Sequence, residues 1–280
     1  MSLKIIADSG ATKVDWRIIF PDQSTQQVTT VGINAVFLTK EEIVKILKEQ
    51  LRSAFEGEPT EIHFYAAGIT GLEMEAHMQA CFKEVFPLAQ SAAYSDIVAA
   101  VRALCGKQPG IAAIMGTGSN TCFYDGENIA TDKVPAGGFI LGDEGGGAVL
   151  GRKLLADFMK RQLPAEIEAD FRASYPDVDI MHIIQKVYRE SIPSRFLASF
   201  SPFLNKHRNN LHVNHLLRSS FAEFFSRNIA QYDYKNYEVN IVGSIAYYYQ
   251  DLLADEAIKQ GMRIGKILQA PIDGLLDYHN

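Results

Sequence analysis

Leu3-Lys4-Ile5-Ile6-Ala7 runs into Asp8-Ser9-Gly10-Ala11-Thr12-Lys13 and on through Val14 to Phe20. Later in the chain Ile111-Ala112-Ala113-Ile114-Met115 runs into Gly116-Thr117-Gly118-Ser119-Asn120 and on through Thr121 to Tyr124. Each stretch reads as an apolar strand, a tight turn of glycine and hydroxyl residues, and a returning strand. A turn of this kind aims backbone N–H groups and hydroxyls at one point, which suits an anion such as phosphate. Its double occurrence predicts two similar lobes facing each other across a nucleotide.

Working outward from these turns, the first half reads β-β-β-α-β-α-β-α. Val14, Trp16, Ile18 and Phe20 alternate with polar residues, and Gln26 to Val31 is a third strand. Thr39-Lys40-Glu41-Glu42 forms a capping box ahead of apolar residues at helical spacing, and Gly57 and Pro59 stop that helix. Glu61 to Ala66 is a strand with Gly68-Ile69-Thr70-Gly71 as its exit. Met74 to Phe86 is a helix, Ala92-Ala93-Tyr94 a short strand, and Ser95 or Asp96 caps the next helix. The polar, turn-rich Gly106-Lys107-Gln108-Pro109-Gly110 marks a domain boundary. The expected domains are 1–106 and 107–280. In the second, a helical insertion spans about 150–233, broken at Pro176, Pro193 and Pro202, and a last helix follows Pro271. Glu238 to Val242 is a strand, and Gly243-Ser244 opens a helix to about Lys259. Alternating β and α elements in both halves predict an α/β fold with mixed sheets.

The 280 residues are enough for two cores, and the net charge of −6 argues against a nucleic-acid surface. No apolar stretch is long enough to span a membrane and no signal peptide is expected, so the chain reads as cytoplasmic. Cys81, Cys105 and Cys122 lack metal-ligand spacing and read as small hydrophobes in a reducing compartment. The seven histidines lack catalytic spacing and are expected on solvated faces.

Asp8 ends the first strand, where open α/β sheets place ligands, and it can hold Mg²⁺ through water or simply form a turn. Asp96 opens a helix after a strand, which suits either an N-cap or a general base. Two acids bracketed by four glycines, Gly142-Asp143-Glu144-Gly145-Gly146-Gly147, make a poor core. They suit ligand hydroxyls through the carboxylates and phosphate oxygens through amides at a helix start. Asn34 is a candidate for sugar hydroxyls, and Gly243-Ser244 faces a ribose or base or forms a plain cap. No G-x-x-x-x-G-K-[ST] is present, and no complete G-x-G-x-x-G joins a strand to a helix.

Taken together, these motifs resemble the N-acetylglucosamine kinase branch of the actin-like ATPases, the group that also contains the BadF/BadG-type ATPases. Asp8 to Lys13 resembles the family's first phosphate loop, D-G-G-G-T-K. Gly116-Thr117-Gly118-Ser119-Asn120 matches the second, Gly142-Asp143-Glu144-Gly145 matches G-D-E-G, and Val242-Gly243-Ser244 matches the adenosine-side motif. The resemblance implies the two-domain actin-like (ribonuclease H-like) fold, with mixed five-stranded sheets flanked by helices and a cleft between domains. It implies ATP and Mg²⁺ as cofactors, an amino sugar as substrate, and a homodimer. It assigns Asp96 as catalytic base. Asp8, Gly10, Ala11, Thr12, Lys13, Gly116, Thr117, Gly118, Gly145, Gly243 and Ser244 fall on the nucleotide, with Asp8 also on the metal. Asn34, Gly68, Ser119, Asn120 and Asp143 fall on the sugar. The last helix is expected to pack back on the N-terminal domain.

The chain departs from that pattern at Ser9 and Ala11, which replace glycines, and in the short spacer Gly138-Phe139-Ile140-Leu141 ahead of G-D-E-G. Gly146-Gly147-Ala148 also replaces a larger, more polar stretch. The expected activity is ATP-dependent phosphorylation of an amino-sugar hydroxyl, O6 of an N-acetylated hexosamine. The alternatives are a BadF/BadG-type ATPase activating a reductase or dehydratase, and a non-catalytic sugar or nucleotide sensor on the same fold.

Overall fold

The computed structural model describes residues 2–10, 13–130 and 133–279, so Ala11 and Thr12, both assigned above to the nucleotide, lie outside the described residues. The chain forms two compact units, Met1–Gly106 with Pro271–Asn280, and Lys107–Ala270.

The first unit is built on β1 (Lys4–Ser9), β2 (Lys13–Ile19), β3 (Thr25–Val31), β4 (Glu61–Ala66) and β5 (Gln90–Ser95), in the order β3-β2-β1-β4-β5. β1, β4 and β5 run parallel, and β2 and β3 are joined to them by antiparallel hairpins. The period-two pattern of β2 sorts its side chains. Val14, Trp16 and Ile18 are buried in the core, while Asp15 and Arg17 lie on the other face. Trp16 is fully buried against Phe64 and Phe82, with centroids at 5.9 and 6.4 Å, and its Nε1 donates to Thr30 Oγ1 at 2.9 Å. The edge strand β3 is polar on its open face, which discourages further strand pairing.

Helices α1 (Lys40–Ile46), α2 (Leu72–Val85) and α3 (Asp96–Cys105) cover this sheet. The capping box forms: Thr39 Oγ1 accepts from the Glu42 amide, and the Thr39 amide donates to Glu42 Oε2 at 2.8 Å. α1 passes into a π-turn over Leu47–Leu51 and a 3₁₀ turn over Arg52–Ala54.

The second unit repeats the plan. β6 (Gly110–Met115), β7 (Ser119–Tyr124), β8 (Ile129–Ala130), β9 (Val239–Val242) and β10 (Ile264–Leu268) lie in the order β10-β9-β6-β7-β8. Again a hairpin flanks a parallel set. Element for element, β6-β7-β8-β9-β10 reproduce β1-β2-β3-β4-β5. The sequence reading named neither β8 nor β10. β8 has two residues, and β10 is an edge strand whose Gly265 and Lys266 break the apolar run.

Its helices are α4 (Gly138–Leu141), α5 (Gly147–Met159), α6 (Ala165–Ser174), α7 (Ile180–Tyr188), α8 (Pro193–Ala198), α9 (Ser201–Lys206), α10 (Leu211–Arg227), α11 (Ser244–Tyr248) and α12 (Gln250–Lys259). Pro193 and Pro202 begin α8 and α9 rather than merely breaking a helix, because the first turn needs no proline N–H. Phe171 ties this layer together, with ring centroids 4.6 Å from Phe158 and 5.4 Å from Phe203.

The C-terminal helix α13 (Ile272–His279) belongs to the first unit and packs on α3. The approach is close: a Cβ on Gly274 would lie 2.6 Å from the Ala103 carbonyl oxygen. α13 also corrects the expectation of solvated histidines. The Tyr65 hydroxyl and His279 Nε2 share a hydrogen bond at 2.7 Å, and the His63 and His279 rings stack at 3.9 Å. Arg102 donates to Tyr65 Oη at 2.6 Å and lies 4.0 Å over the Tyr94 ring.

Candidate functional site

In the first unit the turn after β1 closes with the Gly10 amide donating to the Lys13 carbonyl at 3.0 Å. Asp8 pairs in register with Asp15, so two carboxylates sit side by side on one face of the sheet. Burial is the largest cause lifting the Asp8 carboxyl to about 7. The charges of Asp15 and Asp96 add to it, and Lys13 opposes. Asp96 is the first residue of α3, and its carboxyl is also pushed up by burial, against hydrogen bonds from the Ile97 and Asp96 amides. The N-cap position belongs to Ser95, which makes no side-chain cap bond. Asp96 is therefore not the cap of its helix, and its carboxylate shares an electrostatic neighbourhood with Asp8.

Asn34 and Gly68 come together in the same unit. Asn34 Oδ1 accepts from the Val36 amide at 2.9 Å, and its carbonyl accepts from Phe37 and Leu38, so its acceptor side is committed to the turn. Gly68 holds φ +87° facing it, and a Cβ there would meet Val36 Cγ2 at 2.9 Å.

The second unit assembles its part of the constellation around the Gly116–Gly118 turn. The Gly116 amide donates to the Gly118 carbonyl at 2.9 Å. The start of α5 then reaches the turn: the Gly147 amide donates to the Gly116 carbonyl and Ala148 to Thr117, both at 2.8 Å. These contacts correct one expectation. The amides of Gly146, Gly147 and Ala148 are taken by the carbonyls of Asp143, Gly116 and Thr117, so the helix start braces the turn instead of presenting these groups to an anion. The buried Gly145 sits just ahead of them at φ +75°, against Met115 and Phe224.

Asp143 stands at φ +56°, and its Oδ1 accepts from the Ser119 amide at 3.1 Å. A Cβ on Gly118 would lie 2.6 Å from Asp143 Oδ2, so glycine is what admits this carboxylate. Burial raises the Asp143 carboxyl, opposed by the Ser119 hydrogen bond. Glu144, read above with Asp143 as a ligand group, turns inward instead. It pairs with Arg227 Nε at 2.9 Å and Asn228 Nδ2 at 3.3 Å. Ser119, Asn120 and Asp143 line one recess of about 20 Å³.

A larger cavity of about 450 Å³ joins Gly116 and Thr117 to Gly147 and Ser244, a size within the range of ligand pockets. Its far wall is made by Ser199, Ser201, Pro202 and Asn205 of the α8–α9 region and by Tyr248 and Tyr249. The sequence reading missed the α8–α9 wall and gave Tyr248 and Tyr249 no role. Gly243, at φ +136°, lets β9 meet β6, for a Cβ there would lie 2.2 Å from the Met115 carbonyl oxygen.

Among the described residues, no group of three His, Cys, Asp or Glu side chains is arranged to hold a metal ion. The donor chemistry at Asp8 nonetheless fits a hydrated Mg²⁺. Hard carboxylate oxygens crowd there, and their mutual repulsion is what a divalent cation relieves. Cys81 and Cys122 are buried, and burial pushes the Cys81 thiol up to about 11, which suits packing rather than cluster ligation.

No protein-family model and no curated protein matches the chain. Among solved structures, a candidate N-acetylglucosamine kinase from Porphyromonas gingivalis is 36% identical, with a TM-score of 0.92 over 98% of both chains. A candidate N-acetylglucosamine kinase from Chromobacterium violaceum shares the fold at 16% identity and a TM-score of 0.74, covering 100% of this chain and 99% of its own. A ROK family glucokinase from Streptomyces griseus, solved with glucose and AMPPNP, is 14% identical, with a TM-score of 0.54 over 99% of this chain and 97% of its own.

Proposed function

The chain belongs to the N-acetylglucosamine kinase family of actin-like ATPases and is an ATP-dependent sugar kinase, and from that premise we propose that its acceptor is an amino sugar, phosphorylated at O6 of N-acetylglucosamine. The observation that carries the assignment of roles is Asp96. It opens α3 without capping it, its carboxyl is raised by burial, and it lies within electrostatic reach of Asp8. A carboxylate so tuned accepts the proton of a sugar hydroxyl as the oxygen attacks the γ-phosphorus.

The other roles follow from what each side chain has left to offer. Asp8 would hold a hydrated Mg²⁺, which would supply neutralisation of charge on the phosphates. Gly10 and Lys13, with Ala11 and Thr12, attend the phosphates from the first unit. Gly116, Thr117 and Gly118 do so from the second. Gly145, Gly243 and Ser244 attend the nucleotide, whose base and ribose match the size of the cavity at Thr117 and Ser244. Asn34 keeps its Nδ2 for a sugar hydroxyl, beside Gly68. Asp143 and Asn120 offer acceptor and donor groups at the recess they share with Ser119. Catalysis is then mostly positioning and charge stabilisation, with Asp96 as the one group that takes up a proton.

The same reading has the enzyme cytoplasmic and homodimeric. Its three cysteines, none of them in a disulfide, are in keeping with a reducing compartment, and among the described residues no helix is long and apolar enough to cross a membrane. The test is ADP release from Mg-ATP across N-acetylglucosamine, glucosamine, N-acetylmuramic acid and glucose, with the product's phosphate located by NMR. Turnover with the N-acetylated sugar and phosphate on O6 is the expected result. A preference for glucose over every amino sugar would overturn the acceptor assignment.

A further inference from the structure

We infer that Ser9 is a positioning residue for sugar binding, holding the Asn34 loop to the end of the strand that carries Asp8. The inference rests on the kinase reading above, because it takes Asn34 as a sugar contact. Ser9 is the last residue of β1 and is buried, and its Oγ donates to the Ile33 carbonyl at 2.8 Å. Strand alternation sends the two neighbours to opposite faces. Asp8 lies on the side of Asp15, whereas Ser9 follows Ile5 and Ala7 toward the core.

Ile33 is itself buried and immediately precedes Asn34. The loop is anchored at three points. The π-turn brings Gln50 Oε1 to the Val31 amide at 3.1 Å, Ser9 takes the Ile33 carbonyl, and Gly68 faces Asn34 and Val36. The Gln50 anchor is exposed, and the Gly68 anchor is shape alone. Ser9 supplies a buried hydrogen bond that reaches across from β1. At this position the chain departs from the glycine usual in the motif, and a glycine has no hydroxyl with which to make that bond. Ser9 touches neither reacting group, so its effect is transmitted through the placement of Asn34.

The experiment compares wild type, Ser9→Ala and Ser9→Thr, with N-acetylglucosamine and Mg-ATP as the probes. Loss of one buried hydrogen bond that leaves a carbonyl unpaired is expected to raise the KM for the sugar about three- to tenfold. The KM for ATP and kcat should stay within about twofold, and Ser9→Thr should restore the sugar KM by returning the hydroxyl. Fluorescence of Trp16, the sole tryptophan, reports whether each variant's first unit is folded at the assay temperature. An active wild type whose Ser9→Ala variant keeps its sugar KM overturns the inference alone, as do equal rises in both KM values or a failure of threonine to rescue. A wild type that phosphorylates no sugar overturns the kinase reading and this inference with it.

Discussion

Acidification should loosen the first unit through His279. Its Nε2 shares a hydrogen bond with the Tyr65 hydroxyl, and burial, then the charges of His63, Arg102 and Lys4, hold its pKa down to about 3. Its ring packs against His63 and Tyr65 on β4 and Tyr278 beside it on α13, with the charges of Arg102 on α3 and Lys4 on β1 nearby. None offers a negative charge that would favour an imidazolium. In the unfolded chain the ring titrates near its ordinary value of about 6.5. The folded value lies below the unfolded one, so the contribution is fully present above about pH 6.5 and is lost as the pH falls toward 3.

Between about pH 7.5 and about pH 5.5 the unfolded state gains most of a proton and the folded state almost none. That difference is worth ~1.4 kcal/mol, or ~1 kcal/mol after discounting for the ring's partial exposure. With a urea slope of about 2 kcal/mol/M, the His279 share lowers the midpoint by about 0.5 M, while the Asp8 carboxyl of the same unit, held up at about 7, takes up a proton over the same range and acts with the opposite sign. Trp16 reports this unit because it is buried in the core of the unit to which α13 belongs. His63 is also held below its ordinary value by burial, against the nearby Glu61, so it contributes part of the wild-type slope. His279→Gln keeps a hydrogen-bonding group for Tyr65 but cannot titrate, so its urea midpoint, taken relative to wild type, should rise by about 0.5 M between about pH 7.5 and about pH 5.5. A His279→Gln variant with the full wild-type dependence would refute the assignment.

Other expectations are quickly checked. Asp96→Asn should lower kcat by about 10²- to 10⁴-fold while calorimetry still detects nucleotide and the Trp16 urea midpoint does not fall; turnover within tenfold of wild type would put the base elsewhere. Gly243→Ala forces a side chain at φ +136° to within 2.2 Å of the Met115 carbonyl oxygen. It should destabilise the second unit by about 3 kcal/mol or more, visible as a lower circular-dichroism melting temperature, and an unchanged melt would contradict the close approach of β9 to β6. Cys81, buried with its thiol pushed up to about 11, should react with a disulfide reagent at pH 8 only after urea unfolds the chain. Rapid labelling in the native state would show the thiol to be accessible.

Both hairpins were legible in the sequence because each concentrates two signals, period-two apolar strands and a glycine-hydroxyl turn, within a few consecutive residues. β10 was not, since an edge strand carrying Gly265 and Lys266 has no such pattern and is defined by its pairing with β9. Whether Asp96 caps its helix turned on one residue. Only coordinates show that Ser95 occupies the cap position. The contact between Tyr65 and His279 spans 214 positions, and nothing local to either residue announces it. The α8–α9 wall of the large cavity escaped for the same reason. Its prolines and serines read as helix punctuation, and the folding of the insertion is what brings Ser199, Ser201 and Asn205 to the side of Thr117.

The glycines mislead in a more instructive way. A run such as Gly142–Gly147 invites a reading in which every amide is aimed at a ligand. Here a large share of the run serves backbone contact. Gly146 lies where a Cβ would fall 2.7 Å from Gly118, Gly147 gives its amide to Gly116, and Gly118 makes room for Asp143. Subtracting the groups so committed narrows the chemistry to a few side chains. Thr117 and Ser244 line the cavity as exposed residues, while Asp143 retains a second oxygen beyond the one bound to the Ser119 amide. In the first unit the Gly10 amide donates to the Lys13 carbonyl. The two halves thus share a strand order. In this chain glycine content records how closely backbones approach, and ligand contacts have to be sought in the residues whose hydrogen bonds the fold has left unspent.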